Sequence, residues 1–244
     1  MQKGLLFSAF IATILMISTF PSNAANTTLY YSDFASAKLD GKVDDGEYPT
    51  TFKVADHLDS ENYFLNVAWG HNKTHIFIAL WGEFTGWVGF GMNEPGAGMT
   101  GADMVISSVK NGVATAQDYH AIGNTPPIVD DSQFPIEVAG TEENGITTVE
   151  LRFPLASDDT AGQDHNWEIG GTYGFFFAAH ESSDTLTYHT WHSDDELSVT
   201  IADVGETPAG ATVDIYATQN GSPFPLLGLL FAIPVLGLIR KKIE

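Results

Sequence analysis

"WVGFGMNEPGAGMTGADMVI", residues 87–106, sets two apolar stretches on either side of a glycine-rich loop. The flanks are short, aromatic or β-branched, and bounded by Gly, Asn and Pro, which is the pattern of strands and not of helices. Strand packing does not call for Gly89 and Gly91, because glycine removes side chain and adds unfolded-state entropy. Together with Gly96, Gly98 and Gly101 they suggest that something flat or bulky approaches this backbone. Met92 and Met99 stand beside them.

The same pattern continues outward. "NYFLNVAW" (62–69), "THIFIALW" (74–81), "VATAQDY" (113–119), "ITTVELRF" (146–153), "YGFFFAA" (173–179) and "LTYHTWH" (186–192) all read as strands. Turn signals stand at Gly70-His71-Asn72, Lys110-Asn111-Gly112 and Glu143-Asn144-Gly145. Residues 25–220 carry no sustained helical stripe and no internal repeat. Many short strands at this spacing predict an all-β fold, an antiparallel immunoglobulin-like or jelly-roll β-sandwich. "FFFAA" alternates poorly, which suits a strand covered on both faces.

The ends are of another kind. Residues 1–24 have a basic start at Lys3, an apolar run and small residues at Ser22 and Ala24, so they read as a signal peptide cleaved after Ala24. Residues 221–244 hold a 17-residue apolar run, 223–239, followed by Arg240-Lys241-Lys242. That is the form of a short hydrophobic anchor helix with a cytoplasmic basic stop, or of a processed sorting tail. Residues 203–220 read as a linker, leaving 25–202 as the sandwich domain. The expected product is exported and held at a membrane surface by its C-terminal segment.

Residues 25–220 hold six lysines and arginines against thirty aspartates and glutamates. So strong a negative charge argues against nucleic acid as a partner, and fits a saline habitat, a cationic partner or bound divalent ions. There is no cysteine. Disulfides, thiolate metal sites, iron–sulfur clusters and thioether-linked haem are therefore excluded, and any cofactor is held noncovalently.

Beyond the signal peptide the methionines are Met92, Met99 and Met104. Met104 falls in a strand and reads as core, Met92 closes a strand, and Met99 lies in the loop between Gly98 and Gly101. His57, His71, His120 and His165 sit among polar or turn residues and are expected to be solvated. "LTYHTWHSDD" instead sets His189 and His192 beside Trp191. Three apart on a strand, they point to opposite faces, which argues against one metal held by both. His189 shares a face with Trp191 in that reading, and His192 stays open as the alternate. No hydrolase elbow, His-Glu-x-x-His helix or phosphate loop is present. No carboxylate is recognisably set in an apolar context that would raise its pKa. The chain does not read as a stand-alone enzyme.

"GWVGFGMNEPGAGMTGADMVI" (86–106), "DYHAIGNTPPIVDD" (118–131), "NGITTVELRFPLASDD" (144–159) and "YGFFFAAHESSDTLTYH" (173–189) resemble, in order, the motifs of DOMON domains. These are extracellular haem-or-sugar modules found with dopamine hydroxylase, cellobiose dehydrogenase cytochromes and ferric-reductase-like membrane cytochromes. The resemblance covers roughly residues 50–200. It implies noncovalent haem b with Met99 of "MTGAD" and His189 of "LTYH" as axial ligands, His192 and Met92 being the alternates. It further implies an electron-transfer relay serving a redox partner protein or an extracellular acceptor. A haem-free carbohydrate- or ligand-binding surface module is the other reading, motivated by Trp69, Trp81, Trp87, Trp167 and Trp191, since aromatic faces stack on sugars.

"KLDGKVDDGEYPTTFKV" (38–54) resembles the opening of family 9-like carbohydrate-binding modules and of the haem subunit of ethylbenzene-type dehydrogenases. Asp40, Gly41, Glu47 and Tyr48 occupy the shared positions. The structural role is a turn at Gly41, a carboxylate satisfying backbone N–H groups and Tyr48 on the core. The functional option is calcium at Asp40, Asp44, Asp45 and Glu47.

Overall fold

The computed structural model describes residues 27–34, 38–56, 64–133, 135–194, 196–206 and 213–214. The signal segment 1–24, the tail 221–244, most of the linker and His57 lie outside the described residues. Within them the chain is strand and loop. In chain order the strands are β1 (Thr27–Leu29), β2 (Thr50–Ala55), β3 (Phe64–His71), β4 (His75–Gly82), β5 (Val88–Asn93), β6 (Asp103–Lys110) and β7 (Val113–His120). There follow β8 (Ile128–Val129), β9 (Glu137–Glu143), β10 (Ile146–Pro154), β11 (Thr172–Ala179), β12 (Trp191–His192), β13 (Leu197–Ile201) and β14 (Val213–Asp214).

Two sheets form. The first runs β1-β13-β11-β5-β6-β7-β8, with β12 also paired to β11, and the second runs β14-β2-β3-β4-β10-β9. All internal pairings are antiparallel, as expected, but β1 beside β13 and β14 beside β2 are parallel edges. Hairpins dictate antiparallel neighbours, whereas these outermost strands reach their edges through long connections and are free to run either way. β14 also falls inside the stretch expected to be pure linker.

The hairpins follow local turn chemistry. Asn111-Gly112 joins β6 to β7 and Asn144-Gly145 joins β9 to β10, each with both residues at positive φ (52° and 76°, 54° and 80°). That is the backbone of a two-residue turn matched to strand twist. The first expected turn lies further along than predicted, because β3 runs on through Gly70 and His71. The chain reverses at Lys73 (φ 81°), where the Asn72 side-chain oxygen accepts the N–H groups of Thr74 (3.2 Å) and His75 (2.9 Å). His71 is consequently not solvated but fully buried.

Alternating residues of both sheets interlock between them. Trp69 of β3 meets Phe175 of β11 edge-on at 5.3 Å, and Phe90 of β5 stacks with Phe153 of β10 at 5.7 Å. Phe84 and Trp191 close the same core at 5.7 Å. Burial of such side chains contributes roughly 1.5–3 kcal/mol each. Trp69, Trp87, Trp167 and Trp191 are all buried.

Segment 38–54 is fastened from the second sheet. Glu150 of β10, fully buried, accepts N–H groups from Asp40 (2.9 Å), Gly41 (2.7 Å) and Lys42 (3.2 Å) through Oε2, and the Tyr48 hydroxyl (2.9 Å) through Oε1. Glu47 accepts the Lys38 N–H (3.1 Å) and the Asp44 N–H (3.0 Å). The structural role therefore accounts for this segment. Asp40, Asp44, Asp45 and Glu47 do not converge as a calcium cage, and the clustered acids among the described residues are elsewhere.

Candidate functional site

The outward face of the first sheet is unusual at its centre. Register pairs Gly89 with Ala178 and Ile106, and Gly91 with Phe176 and Met104, while Ala178 pairs with His192. These residues share one face. Their chain neighbours Phe90, Phe175, Phe177, Val105 and Trp191 point into the core. "FFFAA" thus alternates after all, with Phe176 on the outer face and Phe175 and Phe177 inside. Above this face lies a cavity of about 570 Å³, within the range of small-molecule and cofactor sites.

Glycine creates the floor of that cavity. A Cβ on Gly91 would overlap the ring of Phe176, and one on Gly89 would come within 2.8 Å of the Val105 carbonyl oxygen. The loop glycines have a different cause from the one expected. Gly96, Gly98 and Gly101 have positive φ and open space around a notional Cβ, so they shape the turn and do not make room over it.

That turn presents Met99 to the cavity. The Asn93 side-chain amide donates to the carbonyls of Gly98 and Thr100, both at 2.9 Å. Glu196 accepts the N–H groups of Gly96 (2.6 Å) and Gly98 (3.2 Å) from across the sheet. Gly101 N–H donates to the Ala121 carbonyl at 2.7 Å. Held on three sides, Met99 packs against the small apolar cluster of Ala102, Met104 and Ala121, as Phe176 does. Met104 lines the cavity as well, and is not part of the inter-sheet core. Met92, by contrast, is buried in that core and does not line the cavity.

His189 and His192 both reach the cavity. The expected strand 186–192 is a loop up to Thr190, and only Trp191–His192 pairs with β11. Strand alternation therefore does not separate the two rings. They meet edge to face, 4.8 Å between centroids, and Tyr188 stacks on His189 at 4.4 Å. Trp191 faces the core and His189 does not share its face. The cavity is thus bordered by two thioethers, Met99 and Met104, and two imidazoles, the donor types suited to iron, copper or zinc.

Sequence reasoning missed the rest of the wall. Asn124, Thr125, Pro126 and Pro127 cover the cavity from the loop between β7 and β8, and Leu186 and Tyr188 close it from the other side. They fall within the stretches 118–131 and 173–189 that carry the family resemblance, but nothing local marks them as cavity wall.

A second group lies at one end of the sheets. Asp103, Asp118 and Asp164 each bring a carboxylate oxygen within 4.8 Å of the others, and Asp103 and Asp118 are buried. Burial, then Asp118 and Asp164, push Asp103 well above the usual carboxylate range. Asp130 is pushed up to about 6 by burial and by Asp164, against the pull of His120, whose Nδ1 is bonded to it. Burial likewise raises Glu150 despite its hydrogen bonds. Carboxylates in low-dielectric surroundings are therefore present, contrary to the sequence reading. His120 is not a solvated residue either, and His165 donates through Nε2 to the Gly101 carbonyl at 2.8 Å.

Fold and site together define a β-sandwich module with an apolar cavity on one outer face, bordered by thioether and imidazole. The DOMON domain family matches residues 59–180, half of the chain, and the protein belongs to that family. The matched span contains Met99 and ends before His189 and His192. Similar solved folds include the cytochrome b domain of pyranose dehydrogenase from Coprinopsis cinerea (15% identity, 54% of this chain and 73% of that one, TM-score 0.42). The cytochrome domain of Myriococcum thermophilum cellobiose dehydrogenase is similar too (14% identity, 62% and 81%, TM-score 0.49). So is a family 9 carbohydrate-binding module from Caldicellulosiruptor kristjanssonii in complex with cellotriose (11% identity, 77% and 98%, TM-score 0.44).

Proposed function

We propose that this DOMON protein is an exported, membrane-tethered b-type cytochrome module that relays electrons outside the cytoplasm. The observation that supports it is the meeting of Met99, His189 and His192 around one apolar cavity whose floor is bared by Gly89 and Gly91. The residues present fit a haem: soft and borderline donors at the edges, and Phe176, Met104, Ile106 and Leu186 as apolar walls. A b-type haem, when bound, supplies reversible one-electron exchange at its iron.

The chain's own residues do the rest. Met99 and His189 are the residues that would hold the haem iron, with His192 as the neighbouring alternate. With both donors supplied by the protein, a bound haem would exchange electrons and would not bind substrate, so the module is read as a relay and not as an enzyme by itself. Without cysteine, a haem would be retained by those two donors and by apolar contact alone. Residues 1–24 direct export and 221–244 hold the domain at the membrane, facing a redox partner protein or an extracellular acceptor.

The test is to supply haem to the full chain and pass it through gel filtration. Retained haem with a six-coordinate, low-spin spectrum is expected. A colourless protein after the column defeats the reading.

One observation favours a second reading, a haem-free carbohydrate- or ligand-binding module. Tyr188 is 83% exposed at the cavity rim, stacked on His189, as a sugar-stacking platform would be. The stacking role thus moves from the tryptophans, four of which are buried, to a tyrosine. Glycan binding by the colourless protein that weakens in Tyr188→Ala would decide for it.

A further inference from the structure

We propose that Asp103, Asp118, Asp130 and Asp164 form a calcium site that fastens the loop 155–167 to the end of the first sheet. Asp103 opens β6 and Asp118 lies in β7, where register sets Asp103 opposite His120 and Asp118 opposite the core residue Val105. Both carboxylates therefore turn toward the inside of the sandwich, where an apolar side chain would ordinarily sit. Asp164 reaches the same point from the loop, and one oxygen of each of the three lies within 4.8 Å of the others.

Asp130 provides an independent observation. It is only 4% exposed, and it lies against Asp164. His120 occupies its Oδ1. Its Oδ2 is sealed from solvent without a hydrogen-bond donor, as is Oδ1 of Asp164. Buried carboxylate oxygens without donors, on adjoining side chains, are costly unless a cation lies among them.

The donor set selects the ion. It is oxygen throughout, carboxylate in kind and irregular in arrangement, which suits a hard cation with flexible coordination. Calcium takes six to eight oxygens, and four carboxylates with water supply them; magnesium demands a regular octahedron and keeps its water. The loop is shaped for such a role. Asp159 accepts the N–H groups of Ala161 (2.8 Å) and Gln163 (2.7 Å), curling the chain so that Asp164 points back at the sheet. His165, next in line, ties the loop to the Gly101 carbonyl of the Met99 turn. The site does not depend on haem binding.

The experiment takes the full chain, stripped with EDTA and exchanged into chelator-free buffer at neutral pH. Calcium binding is followed by titration calorimetry, and thermal unfolding is measured with calcium at about 1 mM or with EDTA. One calcium per chain and a melting temperature raised by several degrees are expected, with magnesium giving less. Asp118→Asn should weaken binding by about tenfold or more and remove the thermal response. If that variant does not fold, Asp164→Asn, on the loop, carries the same expectation. Absence of any calcium effect on the unmutated chain overturns the proposal. So does a calcium response that Asp164→Asn leaves unchanged, since it would put the ion among other carboxylates.

Discussion

The imidazoles of His189 and His192 stand edge to face at 4.8 Å, both on the cavity that Met99 borders. Both rings therefore border the space that a single ligand would fill. His189 carries Tyr188 against its face at 4.4 Å and lies in a loop outside the sheet ladder, whereas His192 is paired with Ala178. His189→Ala in the haem-loaded protein should therefore abolish the low-spin signal, and His192→Ala should keep it. The reverse result, read from the same spectra, would make His192 the ligand.

Met99 is expected to set the potential. Thioether sulfur favours ferrous over ferric iron relative to imidazole. Met99→His should lower the midpoint potential while preserving six coordination. Met99→Ala should admit carbon monoxide to the ferrous protein. A redox titration with carbon monoxide difference spectra checks both, and carbon monoxide binding by the unmutated protein would exclude Met99 as a ligand.

Gly91 is expected to act on the cavity more than on the fold. A Cβ there overlaps the Phe176 ring, and that ring is half-buried with the cavity beside it. The ring can swing outward, so Gly91→Ala should cost about 1–3 kcal/mol at most. The displaced ring then occupies ligand space. Haem retention after gel filtration should fall while urea unfolding stays cooperative. Retention equal to that of the unmutated protein would show that the Phe176 ring does not enter the ligand's space.

These relationships differ in how far the sequence carried them. The Asn111-Gly112 and Asn144-Gly145 hairpins were legible because two residues suffice to specify them. The alternation of β10 likewise needs only neighbours. Which face of β5 is outward could not be read, because Gly89 and Gly91 have no side chain with which to mark it. The cavity wall is drawn from loops 94–102, 124–127 and 186–190 as well as from four strands, and no local pattern joins them. His189 was singled out by its resemblance to a motif, but through a strand that the chain does not form. The Asp103–Asp118–Asp164 cluster was hidden in plain acidity, since thirty carboxylates give no sign of which are buried.

Glu150 should be the largest single polar contributor to stability in the N-terminal segment. It satisfies three backbone N–H groups and a hydroxyl inside the protein. Glu150→Ala leaves them without an acceptor, at a cost on the order of 3 kcal/mol or more. Tyr48→Phe removes one hydrogen bond and should cost about 1 kcal/mol. Urea denaturation measures both, provided that the slope is unchanged. Equal losses for the two variants would show that the backbone donors find other partners.

His71 should make stability fall on mild acidification. Its Nε2 donates to the Ala202 carbonyl at 2.9 Å, and its Nδ1 accepts the Lys73 N–H at 3.3 Å, so the ring is held neutral with both nitrogens engaged. Burial lowers its pKa below the ordinary value, outweighing the Ala202 carbonyl and Asp203, which raise it. Above about pH 6.5 the ring is neutral in both folded and unfolded chains, and its contribution is constant. Below that value the unfolded chain takes up a proton that the folded one resists, so stability declines as pH falls toward the folded pKa. The slope from one such group is at most about 1.4 kcal/mol per pH unit. Glu150, with a raised pKa, works in the opposite sense and stabilises the fold on protonation. The comparison must therefore be between the unmutated chain and His71→Gln at matched pH. The stability advantage of the histidine should shrink as pH is lowered through the unfolded value. An advantage that stays constant across that range would mean that His71 does not resist protonation in the folded chain.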